Sequence, residues 1–426
     1  MTEQAKVPAI RFAGFTDPWE QRKFGDCFEF LKSNTLSRAG LNGENGTARN
    51  VHYGDILIKF GDCLDGERSD LPFITDDTVL PKFAGSILRE GDVIFADTAE
   101  DEAAGKCVEL RKLPKEPTIS GLHTIPARPR FFFGTGYLGH YLNSDAYHRQ
   151  LLPLMQGIKV ISVSKAALQD TQVRFPGLSE QTAIGAALSE IDNLITLHQR
   201  KYDKLCVLKK SMLDKMFPKG GSLYPEIRFA GFTDPWEQRK LSDLTDRVSI
   251  QSSDSDLPQV EYEDIIPGEG TLNKDLRDKK GGKTGIKFYA GDVLYGKLRP
   301  YLMNWLYPQF NGVAVGDFWV LRATECDSSF LYRLVQTGSF QRLANVSSGS
   351  KMPRADWNLI SQSFFAVPAD HAEQKAIAKG LAELDTLITL HQRKYCGVAS
   401  WMLGVALVRL GSESDGAFGE MKHVLR

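Results

Sequence analysis

The sequence predicts an α/β protein in which two modules of mixed α/β structure are joined by two long coiled-coil helices, arranged as a tandem repeat. Two repeated segments predict this class. The segment IRFAGFTDPWEQRK occupies residues 10–23 and again, unchanged, residues 227–240. The segment LITLHQRKY occupies residues 194–202 and again residues 387–395. Each copy of the repeat therefore runs from an opening segment through a variable region to a helix, and such a tandem can close into a body with pseudo-two-fold symmetry.

The spacing of the repeats separates a constant frame from variable contents. The opening segments begin 217 residues apart, at Ile10 and Ile227, whereas the helical segments begin 193 residues apart, at Leu194 and Leu387. The first variable region is therefore 24 residues longer than the second. Near-identical frames that enclose dissimilar inserts are expected when each insert recognises something different. We predict four parts: residues 1–178, the first opening segment and module; 179–221, a central helix; 222–369, the second opening segment and module; and 370–426, a second helix with a divergent tail.

The composition is that of a soluble globular protein. Of 426 residues, 42% are hydrophobic and 25% are charged, and the formal net charge is −1. No apolar run approaches the roughly 20 residues of a membrane span, and the N-terminus lacks a secretion signal. Six scattered cysteines without a CxxC pair indicate reduced thiols in a cytosolic protein rather than a zinc site or disulfides. We expect a cytoplasmic location and no membrane partner.

Heptad spacing predicts that the two repeated helices form a coiled-coil seam. The first helix is expected from about residue 180 to residue 217, or about 55 Å at ~1.5 Å per residue, and ends at Phe217-Pro218 before Gly220-Gly221. Asp370 and Glu373 predict a capping box at the start of the second helix. Seam positions of both helices, which are also the expected subunit-docking positions, are Ile184, Leu188, Ile191, Ile195, His198, Tyr202, Ile377, Leu381, Leu384, Ile388, His391 and Tyr395. Without a second ligand one helical turn away, we interpret His198 and His391 as packed, hydrogen-bonded residues with no metal.

The variable regions, about residues 24–178 and 241–369, alternate short apolar strands with turns. Strands are predicted in GDILIKF from Gly54, GDVIFAD from Gly91, GDVLYGK from Gly291 and VAVGDFWVL from Val313. Helices are predicted at residues 138–155 and 330–344. The two modules also resemble each other weakly at a common offset of 192 residues, where Gly157, Lys159 and Pro176 correspond to Gly349, Lys351 and Pro368.

Two glycine-rich segments are candidate cofactor sites. Residues 132–136 (FFGTG) match a loose pattern for S-adenosylmethionine binding, and residues 134–139 (GTGYLG) match the dinucleotide fingerprint. The fingerprint lacks the acidic residue ~20 positions further on, and no Pro-Pro dipeptide supplies the loop of amino-methyltransferases. We interpret this segment as a strand that ends in a tight turn. Residues 281–284 (GGKT) lack the first glycine of a phosphate-binding loop and predict a flexible basic loop.

Nothing in the sequence predicts catalysis. The chain contains no HExxH motif and no GxSxG elbow, and no credible cysteine–histidine pairing is evident. We therefore expect a protein that is not an enzyme and that holds no cofactor of its own.

Positive charge is concentrated locally in both variable regions, which is the pattern that phosphate binding requires. Aromatic residues lie between the basic residues of the second region, and arginine can read guanine edges in the major groove. Basic residues of the second cluster are Lys274, Arg277, Lys279, Lys280, Lys283, Lys287, Lys297 and Arg299. The thinner first cluster comprises Lys106, Arg111, Lys112, Lys115, Arg128 and Arg130. Predicted DNA contacts are Lys283, Lys287, Tyr295, Lys297, Arg299, Lys351, Arg354, Lys106, Arg128, Arg130 and Lys159.

These motifs closely resemble the specificity (S) subunit of type I restriction–modification systems. The resemblance rests on FTDPWEQRK, on GDVLYGKLRPYL at residues 291–302 and on the EQxAIAxxLxxLDxLITLHQRK helix, in an order that repeats twice. It implies two target-recognition domains, each binding one half of a split, asymmetric site in double-stranded DNA. It also implies that the helices set the spacing between the half-sites and dock two modification subunits. Those partners would bind S-adenosylmethionine and methylate adenine, and restriction subunits would join to translocate and cut.

One departure and two alternatives accompany this resemblance. After Tyr395 the second helix loses its match to the first, because an apolar stretch replaces the basic, polar end. Docking through the second helix is the property most affected by this departure. The alternatives are an adenine-specific DNA methyltransferase in its own right and an interaction scaffold that does not bind DNA.

Overall fold

The computed structural model describes residue 8 and residues 11–67, 71–276, 281–346 and 352–408, with only the backbone of residues 77, 79 and 394–408. The predicted DNA contact Lys351, the basic residues Arg277, Lys279 and Lys280, the side chain of Tyr395 and the divergent tail beyond residue 408 lie outside the described residues. Two compact units are present, Met1–His198 with Lys394–Arg426, and Gln199–Arg393. The boundaries between them fall within the two long helices.

The first module, residues 20–175, is built from short strands and short helices. Its elements are β1 (Glu20–Lys23), α1 (Phe24–Cys27), β2 (Phe28–Phe30), β3 (Leu41–Asn42), β4 (Arg49–Val51), α2 (Tyr53–Ile58), β5 (Cys63–Asp65), β6 (Phe73–Ile74), β7 (Val93–Ala96), β8 (Thr98–Ala99), β9 (Cys107–Lys112), β10 (Thr118–Ser120), β11 (Thr124–Pro129), α3 (Tyr137–Leu142), α4 (Asp145–His148), β12 (Ile161–Ser162), α5 (Lys165–Asp170) and β13 (Gln172–Phe175). Helical turns of the 3-10 type lie at Arg38–Gly40, Asp77–Ser86 and Leu152–Leu154. A five-stranded sheet has the order β2-β11-β7-β9-β5, and a four-stranded sheet has the order β10-β4-β6-β3.

The first long helix, α6 (Leu178–Lys215), follows this module and agrees closely with the predicted span. Its 38 residues extend about 57 Å. The chain then enters the second opening segment, where the backbone amide of Ile227 bonds the carbonyl of Lys215 at 3.0 Å.

The second module, residues 237–367, repeats the central part of the first. Its elements, with the helix that follows, are β14 (Glu237–Lys240), α7 (Leu241–Leu244), β15 (Thr245–Val248), β16 (Gln251–Ser252), β17 (Gln259–Val260), β18 (Ile265–Ile266), β19 (Thr271–Leu272), β20 (Gly285–Phe288), β21 (Val293–Gly296), β22 (Trp305–Leu306), β23 (Gly312–Ala314), β24 (Phe318–Ala323), α8 (Ser328–Leu334), α9 (Gly338–Ala344), α10 (Trp357–Gln362), β25 (Phe364–Val367) and α11 (His371–Val408). Turns of the 3-10 type lie at Tyr262–Asp264 and Pro300–Leu302. Its two four-stranded sheets have the orders β15-β24-β21-β22 and β16-β20-β23-β17.

A shared scaffold underlies both modules. The antiparallel strands β2-β11-β7 of the first correspond to β15-β24-β21 of the second, and the closing pairs β1–β13 and β14–β25 also correspond. In each case the strand before the long helix returns to pair with the repeated opening segment. Both ends of each module are thus held against a constant frame, and the strands between them are free to differ.

Four predictions about local structure are corrected. The residues of GDILIKF form helix α2 rather than a strand, because His52 Nδ1 accepts a hydrogen bond from the amide of Gly54 at 3.1 Å and caps a helical turn. The predicted helices at residues 138–155 and 330–344 are each broken into shorter pieces. The strand predicted from Val313 is divided into β23 and β24 by a turn at Gly316, whose φ is +104°.

The fourth correction concerns the start of α11. Asp370 caps the helix as predicted, since its side chain accepts from the amide of Ala372 at 2.7 Å. Glu373, however, bonds Arg228 instead of returning to the backbone of Asp370, so the predicted capping box is wrong in its second half.

The core of the second module continues into the long helices. Phe217, two residues after the end of α6, stacks on Phe330 at 5.5 Å between ring centroids. Trp236 of the second opening segment packs edge-on against both rings. Ile377 and Leu381 of α11 are buried in the same cluster. Burial of such large apolar side chains is the main force that fixes module and helices together within this unit. None of the described helices is both long enough and apolar enough to cross a lipid bilayer.

Candidate nucleic-acid interface

A repeated ion pair joins each opening segment to the start of a long helix. Arg11 donates two hydrogen bonds of 2.6 Å to the carboxylate of Glu180, and Arg228 donates to Glu373 at 2.7 and 2.8 Å. Both glutamates are buried. A two-point arginine–carboxylate pair fixes orientation as well as distance, which explains why the opening segment and the helix start are repeated together in the sequence.

The glutamine that follows each of these glutamates binds the module itself. Gln181 accepts from the amide of Gly134 at 2.9 Å and donates to the carbonyl of Pro176 at 2.8 Å. Gln374 accepts from the amide of Asp327 at 2.7 Å and donates to Pro368 at 2.8 Å. The repeated Glu-Gln dipeptide therefore aligns each module on its helix. Sequence reasoning missed this role, although identity of the dipeptide in both copies was the available signal.

An aspartate further along each helix provides another repeated contact. Asp192 on α6 lies 3.7 Å from His140 Nε2, and Ser189 on the same helix accepts from Arg111 Nη1 at 2.9 Å. Asp385, 193 residues after Asp192, accepts from Arg333 Nη1 at 2.6 Å. The two modules thus use different basic residues to reach the same helix position.

The glycine-rich turn at residues 134–139 is filled by the protein's own groups. The amides of Gly136 and Gly139 donate to the buried carboxylate of Glu109 at 2.6 and 2.8 Å. Burial raises the pKa of Glu109, against the lowering effect of these two hydrogen bonds. A Cβ at Gly185 of α6 would lie 2.4 Å from the carbonyl oxygen of Thr135, so the helix backbone packs directly on the turn. Amides that a cofactor phosphate or ribose would need are occupied by Glu109.

A cysteine–histidine contact that the sequence did not reveal lies beside this turn. Cys63 Sγ is 3.9 Å from His140 Nε2, and His140 Nδ1 is 3.0 Å from Asp62 Oδ2. Burial raises the pKa of the Cys63 thiol well above its usual range. Cys63 is half-buried, and His140 also approaches Asp192 of α6 at 3.7 Å, so the contact lies where the first module meets its helix.

Three of the predicted DNA contacts have partners or positions within their own module. Arg128 forms a two-point pair with the buried Asp92 at 2.9 and 2.7 Å, and Arg322 does the same with Asp292 in the second module. Tyr295 is 1% exposed and lies in the core. Lys106 Nζ donates to the carbonyls of Leu57 and Phe60 at 3.1 Å each, and burial lowers its pKa.

The remaining basic candidates lie at the surface in different electrostatic settings. Lys283 pairs with Glu261 at 2.6 Å. Lys287 lies over the ring of Tyr289, 5.7 Å from its centroid. Asp317 lies between Lys297 Nζ, at 3.4 Å, and Arg354 Nη2, at 3.1 Å.

Three candidates are exposed without an ion pair to any described residue, namely Arg130, Lys159 and Arg299. Arg299 has a left-handed backbone, with φ 49°, and its amide donates to the carbonyl of Pro353 at 2.8 Å. Such a conformation is uncommon outside glycine, and here it is held by contacts on both sides of the turn. Among the predicted DNA contacts that the structure describes, these three side chains are the most available to phosphates.

The predicted seam residues form the more buried face of each helix. Along α6, Ile184, Leu188, Ile191, Ile195, His198 and Tyr202 are all partly buried, as are Leu384, Ile388 and His391 on α11, whereas Ile377 and Leu381 are fully buried. Four leucines on the opposite faces are exposed, Leu194 and Leu197 on α6 and Leu387 and Leu390 on α11. Within the second unit, Lys209 of α6 bonds Asp385 of α11 at 2.6 Å, so the two helices are joined there by charge as well. In the part of the chain that is described, no group of His, Cys, Asp or Glu side chains is arranged to hold a metal ion.

Comparison with known proteins agrees with this architecture. No family model matches the chain. It is 23% identical over 262 residues to the type I restriction enzyme MjaVIII specificity subunit of Methanocaldococcus jannaschii, covering 56% of this chain and 61% of that protein. It is 21% identical over 266 residues to the EcoDI specificity subunit of Escherichia coli, covering 54% of this chain and 60% of that protein. The matches thus span about three fifths of the length of these curated relatives.

A solved structure shows the same fold. The S subunit of a type I restriction–modification system from M. genitalium matches with a TM-score of 0.56 at 11% identity, over 96% of this chain and 100% of that chain. This fold defines a class of proteins in which two unlike modules are carried by two long helices and a repeated opening segment. In sequence, the chain is similar to the specificity subunits of type I restriction enzymes.

Proposed function

We propose that the chain is the sequence-specific DNA-binding subunit of a type I restriction–modification complex. Each module would bind one half of a bipartite, asymmetric site. The chain would thereby select the DNA sequence on which partner subunits act, without being an enzyme itself. The observation that carries this proposal is the repeated anchoring by Arg11–Glu180 and Arg228–Glu373 of two modules that differ between the anchors. Two unlike modules that are attached to the helices in the same way are the arrangement that an asymmetric DNA site requires.

The charges favour double-stranded DNA as the ligand. Arg130 and Lys159 in the first module and Arg299 in the second are exposed cations, and phosphate contacts supply most of the affinity of such proteins. A net charge of −1 does not oppose this, because binding depends on where the positive charge lies.

The long helices are proposed to bind two modification subunits and to set the spacing between the half-sites. Leu194 and Leu197 on α6 have exact counterparts in Leu387 and Leu390 on α11, and all four are exposed. Matching apolar positions on both helices suit two copies of one partner. Those partners would carry S-adenosylmethionine, and restriction subunits would complete the complex in the cytoplasm.

Methylation mapping tests the proposal. The chain would be co-expressed with the modification subunits of its own system, and methylated adenines would be mapped across the host genome. We expect one split motif with two unlike halves, of which one half is altered when the first module is exchanged and the other when the second is exchanged. An assembled complex that methylates no split motif, or a single exchange that alters both halves, would contradict the proposal.

A further inference from the structure

An exposed hairpin projects from the first module between the 3-10 turn at Leu152–Leu154 and α5. Gln156 and Ser162 exchange two backbone hydrogen bonds, of 3.0 and 2.8 Å, and close the hairpin. Its base is fixed because β12 pairs with β8. At Gly157 the φ is +115°, and a Cβ would lie 1.9 Å from the carbonyl oxygen of Val160. Glycine is therefore required for the turn, and the tip is held in one shape.

The tip of this hairpin is apolar and basic. Ile158 is 98% exposed and Val160 is 55% exposed, with the exposed Lys159 between them. A single exposed apolar residue needs no explanation. Here two exposed apolar residues flank a lysine on a turn whose shape requires glycine. This composition suits a segment that enters a nucleic-acid groove, where apolar atoms contact bases and the cation contacts phosphate or guanine.

Among the described residues of the second module, the strand pairing at the corresponding place is similar. Leu298 forms a β-bridge with Arg354, as Thr98 pairs with Ser162 in the first module. Met352, the counterpart of Val160 at the offset of 192 residues, is 53% exposed.

Beside this bridge, the turn Pro300–Leu302 is flanked by two left-handed residues, Arg299 and Met303, with φ 49° and 57°. Tyr301, Leu302 and Met303 are all exposed. Apolar side chains and a cation thus project together from the second module as well.

A pair of reversed polarity lies at the base of each projection. In the first module, Asp97 Oδ1 is 3.4 Å from His123 Nδ1. In the second, Lys297 Nζ is 3.4 Å from Asp317 Oδ1.

The backbone around the two pairs is the same. The amide of Asp97 bonds the carbonyl of His123 at 3.0 Å, and the amide of Lys297 bonds that of Asp317 at 2.9 Å. An acid in one module therefore takes the place of a base in the other. Such a reversal on a common scaffold changes which base-edge donors and acceptors can be met.

We propose that these projections, residues 156–162 of the first module and residues 299–303 with 352–354 of the second, enter the DNA groove and determine which half-site each module accepts. This inference rests on the proposed function and assigns its specificity to named residues. Lys159 and Arg299 provide affinity, and the apolar side chains beside them provide discrimination between bases.

A small exchange tests the inference. The double variant Ile158→Ser/Val160→Met gives the first tip the four residues that follow Ser348 in the second module. In the complete complex with its modification subunits, we expect the preferred sequence of one half-site to change or relax by about tenfold at one or more base pairs, while the other half-site stays unchanged. Lys159→Ala should weaken binding of all duplexes by about tenfold and reduce the salt dependence by about one counterion.

Matched controls separate this role from others. Ile58→Ser alters an isoleucine of the same module that is 86% exposed and lies on α2, away from the hairpin in sequence, and should leave the methylated motif unchanged. Met303→Ser should affect only the other half-site. Full retention of both half-sites by the double variant would overturn the inference. Weakened binding of the modification subunits with an unchanged methylated motif would also overturn it, since the hairpin would then be a protein-docking surface. A wild-type complex without any split motif would instead remove the proposed function, and this inference with it.

Discussion

The carboxylate of Asp385 accepts a hydrogen bond of 2.6 Å from Arg333, whose side chain is buried at the junction of the second module and its helix. Lys209 of α6 bonds the same carboxylate at 2.6 Å. One acid on α11 thus binds the module and the other long helix at once. Its counterpart Asp192 approaches His140 in the first module, so the repeated sequence keeps the acid and each module supplies its own base.

Replacement of Asp385 should therefore destabilise the second unit. Asp385→Asn leaves the buried guanidinium of Arg333 without its counter-charge, and we expect a loss of about 3 kcal/mol in the free energy of unfolding. Denaturant unfolding followed by tryptophan fluorescence reports on this unit, which contains Trp236, Trp305, Trp319 and Trp357. The exposed Glu383 on the same helix provides the control Glu383→Gln, with an expected change below about 0.5 kcal/mol. Equal losses in the two variants would contradict this interpretation.

The buried acid Asp55 makes the stability of the first module depend on pH. Burial alone would raise the pKa of Asp55, but hydrogen bonds from Arg38 and Lys59 outweigh burial and lower it. Because the pKa is lower in the folded state, the stabilisation is complete above the ordinary aspartate value of about 3.9 and is lost as the pH falls through the folded value.

The variant Asp55→Asn removes this effect. At pH 7 we expect it to lower the free energy of unfolding by about 2 kcal/mol, the scale of a hydrogen bond to a charged group. The difference from the wild type should shrink below about pH 4. Unfolding free energies measured from pH 3 to pH 7 check this, with Glu29→Gln as the exposed control. A difference that stays constant with pH would show that charge is not its source.

The frame of the protein was predictable from sequence because repetition is visible without a structure. Identical opening segments and heptad-spaced helices predicted the tandem architecture and the more buried helix faces. Local structure was less accessible. GDILIKF contains a short apolar run that fits a strand, yet a histidine cap and burial of Ile56 produce a helix. Short apolar runs do not distinguish a strand from a helix.

The candidate site was predicted only in part, for a related reason. Arg128 meets Asp92, 36 residues earlier, and Arg322 meets Asp292, 30 residues earlier. Which basic residue finds a buried partner depends on strand pairing, and composition alone does not reveal it. Lys159 corresponds to Lys351 in the second module, whereas its neighbour Ile158 corresponds to Ser350 there.

The ion pair between Arg228 and Glu373 should behave as a replicate of Arg11 and Glu180. Each arginine forms two hydrogen bonds to a buried carboxylate, and Trp236 adds a third bond to Glu373 at 3.2 Å. Truncation to alanine leaves the carboxylate buried without its charge partner, so Arg11→Ala and Arg228→Ala should each lower the free energy of unfolding.

Lysine should not restore either pair, because it lacks the planar fork. Thermal unfolding of the two alanine variants and of Arg228→Lys measures these effects. Full stability of Arg228→Lys would show that a single positive charge is enough. A large difference between the two alanine variants would show that the two ion pairs, although alike in geometry, contribute differently to stability.

A glycine on α6 provides the sharpest test of the contact between the first module and its helix. Alanine is favoured over glycine in a helix by about 1 kcal/mol, so Gly185→Ala would stabilise an isolated helix. Here the added Cβ would lie 2.4 Å from the carbonyl oxygen of Thr135 and 2.9 Å from the amide of Tyr137. Backbone atoms cannot rotate away, and overpacking of this kind costs about 1–3 kcal/mol. After the gain in helix propensity is subtracted from this cost, we expect a net loss of up to about 2 kcal/mol in the free energy of unfolding.

The same position in the second helix is Ala378, which is buried, so the reverse change Ala378→Gly is the matched variant. It should also destabilise, by about 1 kcal/mol or more, through lost helix propensity and lost packing. Fluorescence of Trp19 follows the first change, and the tryptophans of the second module follow the other. If Gly185→Ala instead raised stability, the turn at residues 134–136 would not pack against α6. The alignment of the first module on its helix would then rest on the side-chain contacts of Gln181, Ser189 and Asp192.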